Sequence, residues 1–427
     1  MIALLFGLLA FLIFLGFPIA FATGISALIV LILLDLPLSV AITQTYTGVD
    51  SFTLLAVPYF ILAGEIMGAA QVVDQMVDFA NALVGRLRGG LGHANVVGEM
   101  IFSGVSGSGA ADASALGSIT IPAMTKQGYA KDFIVALNST AAVIGPIIPP
   151  SIPMILWASL NMQSIGALFL AGMVPGIMIG LGLMAMNYIV CVKRGYDFRT
   201  EGRFSIKNVC ITFYRSFWAL VMPLIILGGI VTGLFTATEA GVVAIMYGFF
   251  YGALFRRTLK MNRIPKLLLN AATSTAMVFL IVALGTVFSN LLVRLNFQET
   301  ATITLLNLTK SPFCATLVIM AFLLFLGCFI DALPIYIMFA PTLHAIGQQL
   351  GYDPLHFALV MIVTIQIGGV TPPVGVYLYV SMAIAEITIE EASRVLLPFL
   401  SVLIIVTLIM LLIPPTVTWF PRLMGFG

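Results

Sequence analysis

Long apolar runs alternate with short polar segments along this chain, and two of the runs are broken by proline. Apolar stretches cover roughly residues 1–34, 52–72, 133–157, 165–192, 217–234, 240–255, 270–293, 357–383 and 395–420. At 1.5 Å of rise per residue, most of these can cross a hydrocarbon core about 30 Å thick as a helix. No apolar-out, polar-in alternation marks a barrel strand. The pattern predicts an all-α polytopic membrane protein. A single helix over residues 1–34 would measure about 51 Å, too long for one upright crossing. Gly16-Phe17-Pro18 at its centre predicts two short crossings instead. Residues 217–255 likewise read as two short spans turning at Thr236-Ala237-Thr238-Glu239. The stretch Val73–Phe79 is amphipathic and is predicted to lie along the membrane interface.

The breaks carry the most information. Residues 145–153 read GPIIPPSIP inside the run 133–157. Each proline removes a backbone donor and clashes with the preceding turn, at roughly 3 kcal/mol apiece in a helix interior. Broken backbone at membrane depth is tolerated only where it lines a cavity or is buried in protein. A second break, GGVTPP, occupies residues 368–373 at an offset of 223, inside the run 357–383. Ahead of each break lies a glycine-rich apolar region, near 94–125 and near 313–343. Phe102-Ser103-Gly104 lies opposite Phe325-Leu326-Gly327 at that offset, and at offset 219 Asp112 meets Asp331 and Pro122 meets Pro341. The shared order predicts two repeats, 1–205 and 206–427, each holding a re-entrant helical hairpin followed by a broken transmembrane helix.

Charge orients them. Only 8% of residues are charged against 61% hydrophobic, where a soluble domain carries about 25% charged residues. Arg86, Arg88, Lys126, Lys131, Lys193, Arg194, Arg199, Arg203, Lys207, Arg215, Arg256, Arg257, Lys260, Arg263, Lys266 and Arg394 can all face one side. The positive-inside rule makes that side the cytoplasm. The first glycine-rich region then opens to the cytoplasm and the second to the outside, so the repeats are inverted. Inverted repeats with interrupted helices are typical of secondary transporters; a channel would need polar residues along a pore, and polar density is low outside two clusters. No basic segment precedes the first apolar run, so no cleavable signal peptide is expected. Cys191, Cys210, Cys314 and Cys328 lack pairing or ligand spacing and read as packing residues.

The first polar cluster is FSGVSGSGAADASA, residues 102–115. Ser103, Ser106 and Ser108 offer hydroxyl and carbonyl oxygens, and the second arm of the hairpin presents its partly positive amino terminus to the tip. Asp112 and Asp331 are intramembrane carboxylates, which default to functional candidates and can equally cap helix starts. Thr371 adds a hydroxyl to the second break alone. Glu65 and Glu239 read as structural partners of polar neighbours. No Lys or Arg falls at the presumed midplane, so an anionic substrate would be held by helix amino termini, hydroxyls and bound cations. Hard oxygens from carbonyls and hydroxyls suit Na⁺; a proton-coupled version would rely on Asp112 or Asp331 titrating.

The motifs GFPIAFATG (16–24), PYFILAGEIM (58–67), FSGVSGSGAADASALGS (102–118), GPIIPPSIP (145–153), GLFTATEAG (233–241), GCFIDALP (327–334) and GGVTPPVG (368–375), in this order, resemble the large membrane subunit of a tripartite ATP-independent periplasmic (TRAP) transporter. The resemblance runs along essentially the whole chain and is strongest to sialic-acid-type members. It implies an elevator-type transporter with a fold like the ion transporter superfamily, in the bacterial inner membrane. It implies two partners, a small membrane subunit on a separate polypeptide and a soluble periplasmic substrate-binding protein. It also implies an organic-acid substrate such as sialic acid, driven in by sodium. One sodium site is similar to Ser103, Ser106, Gly145, Ile148 and Pro150, the other to Gly327, Gly368, Thr371 and Val374; Ser108, Asp112 and Asp331 would face the substrate cavity. The soluble protein is expected on the outward loops near 35–50, 158–164, 235–239 and 294–312. Nucleic acid is not an expected partner.

Two other classes compete. Gly104-Val105-Ser106-Gly107 matches the G-x-S-G of rhomboid proteases, where a serine nucleophile works with a histidine base. Of His93, His344 and His356, the last two fall near the outer ends of apolar segments with no evident route to that serine, and the second half has Cys328-Phe329 where the motif would repeat, so no enzyme is expected. A self-sufficient sodium-coupled dicarboxylate symporter of related fold differs from the TRAP reading in needing no soluble protein.

Overall fold

The computed structural model describes residues 1–199, 205–309 and 311–426, and every regular element among them is a helix. Arg203, counted above among the basic residues, and Lys310, in the segment 294–312, lie outside the described residues. Five helices are long and apolar enough to cross a membrane: Ile165–Lys193, Ile206–Val231, Ala237–Phe255, Met261–Arg294 and Ile389–Leu412. The pair Ser39–Val49 and Thr53–Ala69 forms one further span bent by 57°. Residues 1–34 do split in two, into Ile2–Phe14 and Ile19–Leu33, at Gly16 with φ +84°. This is a multi-pass membrane protein.

The order of elements recurs. In the first half, Ile2–Phe14, Ile19–Leu33 and the bent span are followed by the amphipathic helix Val72–Val84. Then come a hairpin (Gly90–Ser106, Gly109–Gln127), a broken helix (Lys131–Ala141, Ile152–Asn161) and the long helix Ile165–Lys193. In the second half, Ile206–Val231, Ala237–Phe250 and Ile264–Arg294 precede the surface helix Phe297–Leu308. A hairpin (Pro312–Gly327, Ala332–Gln349), a broken helix (Pro354–Gly368, Val376–Ala385) and the long helix Ile389–Leu412 follow. Each hairpin and each broken helix stands where the sequence puts it, with bounds shifted outward by a few residues.

Local chemistry sets the ends. Thr236 and Glu239 form a reciprocal capping box, as do Thr388 and Glu391, satisfying orphan N–H groups at two helix starts. The Thr236 backbone N–H, then its hydroxyl, hold the Glu239 carboxylate below its ordinary range, which gives this acid the structural role read from the sequence. Asp353 caps the second broken helix by accepting from Leu355 and His356 N–H at 2.9 and 3.0 Å. Proline stands in the first turn of Pro312–Gly327 and Pro354–Gly368, where its missing donor costs nothing.

The broken helices form the centre. Residues 133–158 are buried without interruption, and so are 356–370. By contrast Ile206–Val231 buries few of its residues and presents its apolar surface outward, as a lipid-facing helix does.

At the open end of the first hairpin, the segment after Ile165–Lys193 crosses its base. Gly89 and Gly90 N–H donate to the Phe198 carbonyl at 3.1 and 3.0 Å, and Arg88 Nε donates to the Tyr196 carbonyl at 2.8 Å. Tyr129, Phe133, Tyr196 and Phe198 stack below it. Arg194 grips Asp132 with two bonds of 3.0 Å. Burial alone would raise the Asp132 carboxyl, but the Arg194 guanidinium and the Phe133 N–H outweigh it and hold it below the usual carboxylate range. A group with a depressed folded pKa contributes stability above its unfolded pKa and loses it as pH falls through the folded one. Asp132→Asn is therefore expected to lower thermal stability at neutral pH by roughly 1 kcal/mol, the scale of a partly exposed bidentate pair. The difference from wild type should close as the pH drops below the ordinary carboxylate range. A gap that stays constant with pH would contradict this assignment.

Candidate functional site

The tip of the first hairpin turns at Gly107, whose φ of +63° is left-handed and favours glycine. A Cβ there would also strike the Pro150 carbonyl, so tip and break are in backbone contact. The Ile152 N–H donates to the Gly107 carbonyl at 3.4 Å, tying the two together. On the hairpin, Ser106 donates to Asp112 Oδ1 and accepts from the Ser108 N–H at 3.2 Å. The other Asp112 oxygen is buried without a partner and stands against Gly145, where a Cβ would meet it. Ser106, Ser108, Asp112, Gly145 and Pro150 are thus brought together. Ser103 is buried one turn lower, its hydroxyl donating to the Met100 carbonyl at 3.0 Å. The Ile148 side chain packs on Gly176 of Ile165–Lys193, leaving its backbone at the break.

The second site is closer still. A Cβ on Gly327 would lie 2.5 Å from the Cα of Gly368, and one on Gly368 would lie 2.6 Å from the Cα of Gly327. Only glycine at both positions permits this approach, because the obstacle is backbone. The Val374 N–H donates to the Cys328 carbonyl at 3.0 Å, the counterpart of the Ile152–Gly107 bond. Thr371 directs its hydroxyl to the Ile367 carbonyl at 2.9 Å. Asp331 stands at the N-cap of Ala332–Gln349. The peptides Pro149–Pro150 and Pro372–Pro373 are both cis.

The breaks leave specific carbonyls without a hydrogen-bond donor. Among the described residues, those of Gly145, Ile148 and Pro150 accept no hydrogen bond, nor do those of Gly327, Thr371 and Val374. The Gly368 carbonyl accepts from Thr371 N–H at 3.0 Å. Unbonded carbonyls at two breaks, buried at the first and partly exposed at the second, are oxygen donors of the kind that unwound transporter helices offer to small cations. No group of three or more His, Cys, Asp or Glu able to hold a metal occurs among the described residues, so a transition-metal site has no support in side chains.

The two tips differ in exposure. Val105 is fully buried, whereas Phe325 and Phe329 are 62% and 46% exposed and Val374 is 45% exposed. Several polar residues around the site stand out only in the structure. Glu99 is fully buried on the same face of the first arm as Ser103 and Ser106, with neither carboxylate oxygen partnered. Asn95 accepts from Thr120 across the hairpin at 3.0 Å, and Asn138 donates to the Ala113 carbonyl at 3.1 Å and to Ser381 at 2.9 Å. The sequence signal for Glu99 is its spacing, four and seven residues ahead of Ser103 and Ser106, which puts all three on one helix face.

The family described as tripartite ATP-independent periplasmic transporter, DctM component, matches residues 6–416. The chain is 37% identical over 429 residues to the sialic acid TRAP transporter large permease protein SiaM of Vibrio cholerae, covering 100% of both. It is 37% identical to the isethionate TRAP transporter permease protein DctMQ of Oleidesulfovibrio alaskensis, covering 97% of this chain and 66% of that one. It is 36% identical to the C4-dicarboxylate TRAP transporter large permease protein DctM of Pseudomonas aeruginosa, covering 88% of each. In structure it resembles Neisseria gonorrhoeae MtrF, described as illuminating a class of antimetabolite efflux pumps, with a TM-score of 0.56 at 12% identity over 87% of this chain and 83% of that one. The last likeness concerns the fold alone. Those relatives are permease subunits rather than enzymes. With matching motifs, two proline-broken helices and a match spanning nearly its full length, this chain belongs to the family of large membrane subunits of TRAP transporters.

Proposed function

We propose that the chain is the sodium-coupled transport subunit for an organic acid, with one sodium ion held at each break. The observation that carries this reading is the pair of carbonyl clusters left unbonded at the breaks, at Gly145, Ile148 and Pro150 and at Gly327, Thr371 and Val374. Ser106 beside the first and the Thr371 hydroxyl in the second supply further oxygens. When bound, sodium supplies the countercharge that an anion needs where no Lys or Arg is available. The halves 1–205 and 206–427 act as inverted repeats, and their hairpins and broken helices form a core that moves past the remaining helices as an elevator. The chain sits in the bacterial inner membrane.

Family membership implies a small membrane subunit and a periplasmic binding protein as partners. We assign the soluble partner to the outward segments near 35–38, 158–164, 235–239 and 294–312; residues 39–49 of the expected loop 35–50 are helical and belong to the bent span, and 297–308 form a surface helix rather than a loop. Of the substrates named in the relatives, sialic acid is the one we assign first, because the SiaM relative matches end to end. The test is uptake of labelled sialic acid into proteoliposomes containing this chain with a small subunit, with and without the soluble protein and an inward Na⁺ gradient. Uptake that needs both supports the reading. Uptake with Na⁺ alone favours a self-sufficient symporter, and uptake indifferent to Na⁺ refutes sodium coupling.

A further inference from the structure

The second break reaches the first half of the protein through Tyr377. Tyr377 lies at the start of Val376–Ala385, just past the second break, and is 5% exposed. Its ring lies against two glycines. A Cβ on Gly109, the first residue of the second hairpin arm that carries Asp112, would fall 2.6 Å from the ring carbon bearing the hydroxyl. A Cβ on Gly369 in the second break would fall 3.0 Å from the ring. The Tyr377 N–H donates to the Gly369 carbonyl at 2.9 Å.

The polar atoms around the ring form an unbroken chain. The Tyr377 hydroxyl donates to Gln366 Oε1, Gln366 Nε2 donates to the Tyr336 hydroxyl at 3.0 Å, and Tyr336 donates to the Ile362 carbonyl at 2.9 Å. In the other direction Ser381 donates to the Tyr377 carbonyl at 2.9 Å, and Asn138 donates to Ser381 at 2.9 Å and to the Ala113 carbonyl at 3.1 Å. This path runs from the second hairpin through both broken helices to the first hairpin, next to Asp112. All five side chains are buried.

The chain is not a requirement of the repeat. At the offset of 223, Gln366, Tyr377 and Ser381 correspond to Val143, Met154 and Ala158 in the first half. Apolar residues suffice to build the same break there. A polar path buried in the interior is costly unless its members are bonded; of the polar atoms on these five side chains, Asn138 Oδ1 alone is buried without a partner.

We infer that Tyr377 couples the two breaks, so that an ion ordering the carbonyls at one prepares the other for its ion. This rests on the sodium reading above. Tyr377 is a positioning residue: its ring wedges between Gly109 and Gly369, and its hydroxyl is held by Gln366. Drawing carbonyls inward at the second break moves Gly369 and the ring with it, and the ring bears on the first turn of the Asp112 arm. Coupling between two sites typically changes affinity by about 5–150-fold.

The test is the sodium dependence of initial uptake rates in proteoliposomes holding the complete transporter. Wild type is expected to give a sigmoidal curve. Tyr377→Phe, which keeps the ring and removes the hydroxyl, and Ser381→Ala, which cuts the path to Asn138, are each expected to turn it towards a hyperbola and raise the half-saturating sodium concentration. Thermal stability is measured in parallel, since a merely structural role would lower it without changing the curve's shape. Sigmoidal curves retained in both variants would overturn the inference while leaving sodium coupling intact. A wild type indifferent to sodium would overturn the sodium reading and this inference with it.

Discussion

Gly368→Ala is expected to cost most of the protein's transport. The added carbon would stand 2.6 Å from the Cα of Gly327, and no rotamer change can relieve a clash with backbone. Over-packing of this kind costs typically about 1–3 kcal/mol and shifts backbone. Here the backbone that must shift carries the carbonyls of Gly327 and Gly368. Sodium-driven uptake should fall by roughly tenfold or more, since about 1.4 kcal/mol of lost ion binding is a factor of ten. Gly327→Ala should do the same, for the approach is mutual. As a control, a Cβ on Gly228, in the lipid-facing helix Ile206–Val231, meets nothing within 4 Å. Gly228→Ala should therefore transport normally. Equal effects at Gly228 and Gly368 would mean that close packing at the break has no special part in transport.

Asp112→Asn is expected to give the second large effect, and of a different kind. The substitution keeps the side chain's size and can keep the bond accepted from Ser106, but removes the charge beside Gly145. Hydrogen bonds to charged groups are worth roughly twice neutral ones, and a carboxylate near a bound cation attracts it directly. The sodium concentration for half-maximal uptake should rise by about tenfold, equivalent to ~1.4 kcal/mol, with thermal stability close to wild type. A variant with unchanged sodium dependence but lower stability would make Asp112 a helix-start residue and nothing more.

Much of this arrangement was legible in the sequence because proline, glycine and charge act locally. GPIIPP and GGVTPP mark breaks that no tertiary context can heal, and the glycines at 107, 327 and 368 mark where backbone meets backbone or ligand. The division of residues 1–34 and the turn at Thr236 followed from helix length and from capping chemistry. What stayed hidden depends on residues far apart in the chain. Glu99 has a sequence signal in its spacing to Ser103 and Ser106, but only the packing of both arms shows that it is buried. Tyr336, Gln366, Tyr377 and Asn138 are unremarkable in their own segments; their hydrogen bonds span up to 243 residues. The strap formed by Arg194, Tyr196 and Phe198 was hidden for the same reason, since a loop reads as polar and basic whatever it crosses. The unequal exposure of the two hairpin tips likewise has no local signal, because Val105 and Phe325 are both apolar residues in apolar surroundings.

The central claim is that both breaks hold sodium and that its gradient drives the anion. The most direct test is to measure labelled sodium and labelled organic acid entering the same proteoliposomes at the same time, with the small subunit and the soluble protein present. The account predicts that anion uptake is accompanied by more than one sodium ion per anion, and that Gly368→Ala abolishes both fluxes together. Anion uptake with no accompanying sodium flux would contradict it.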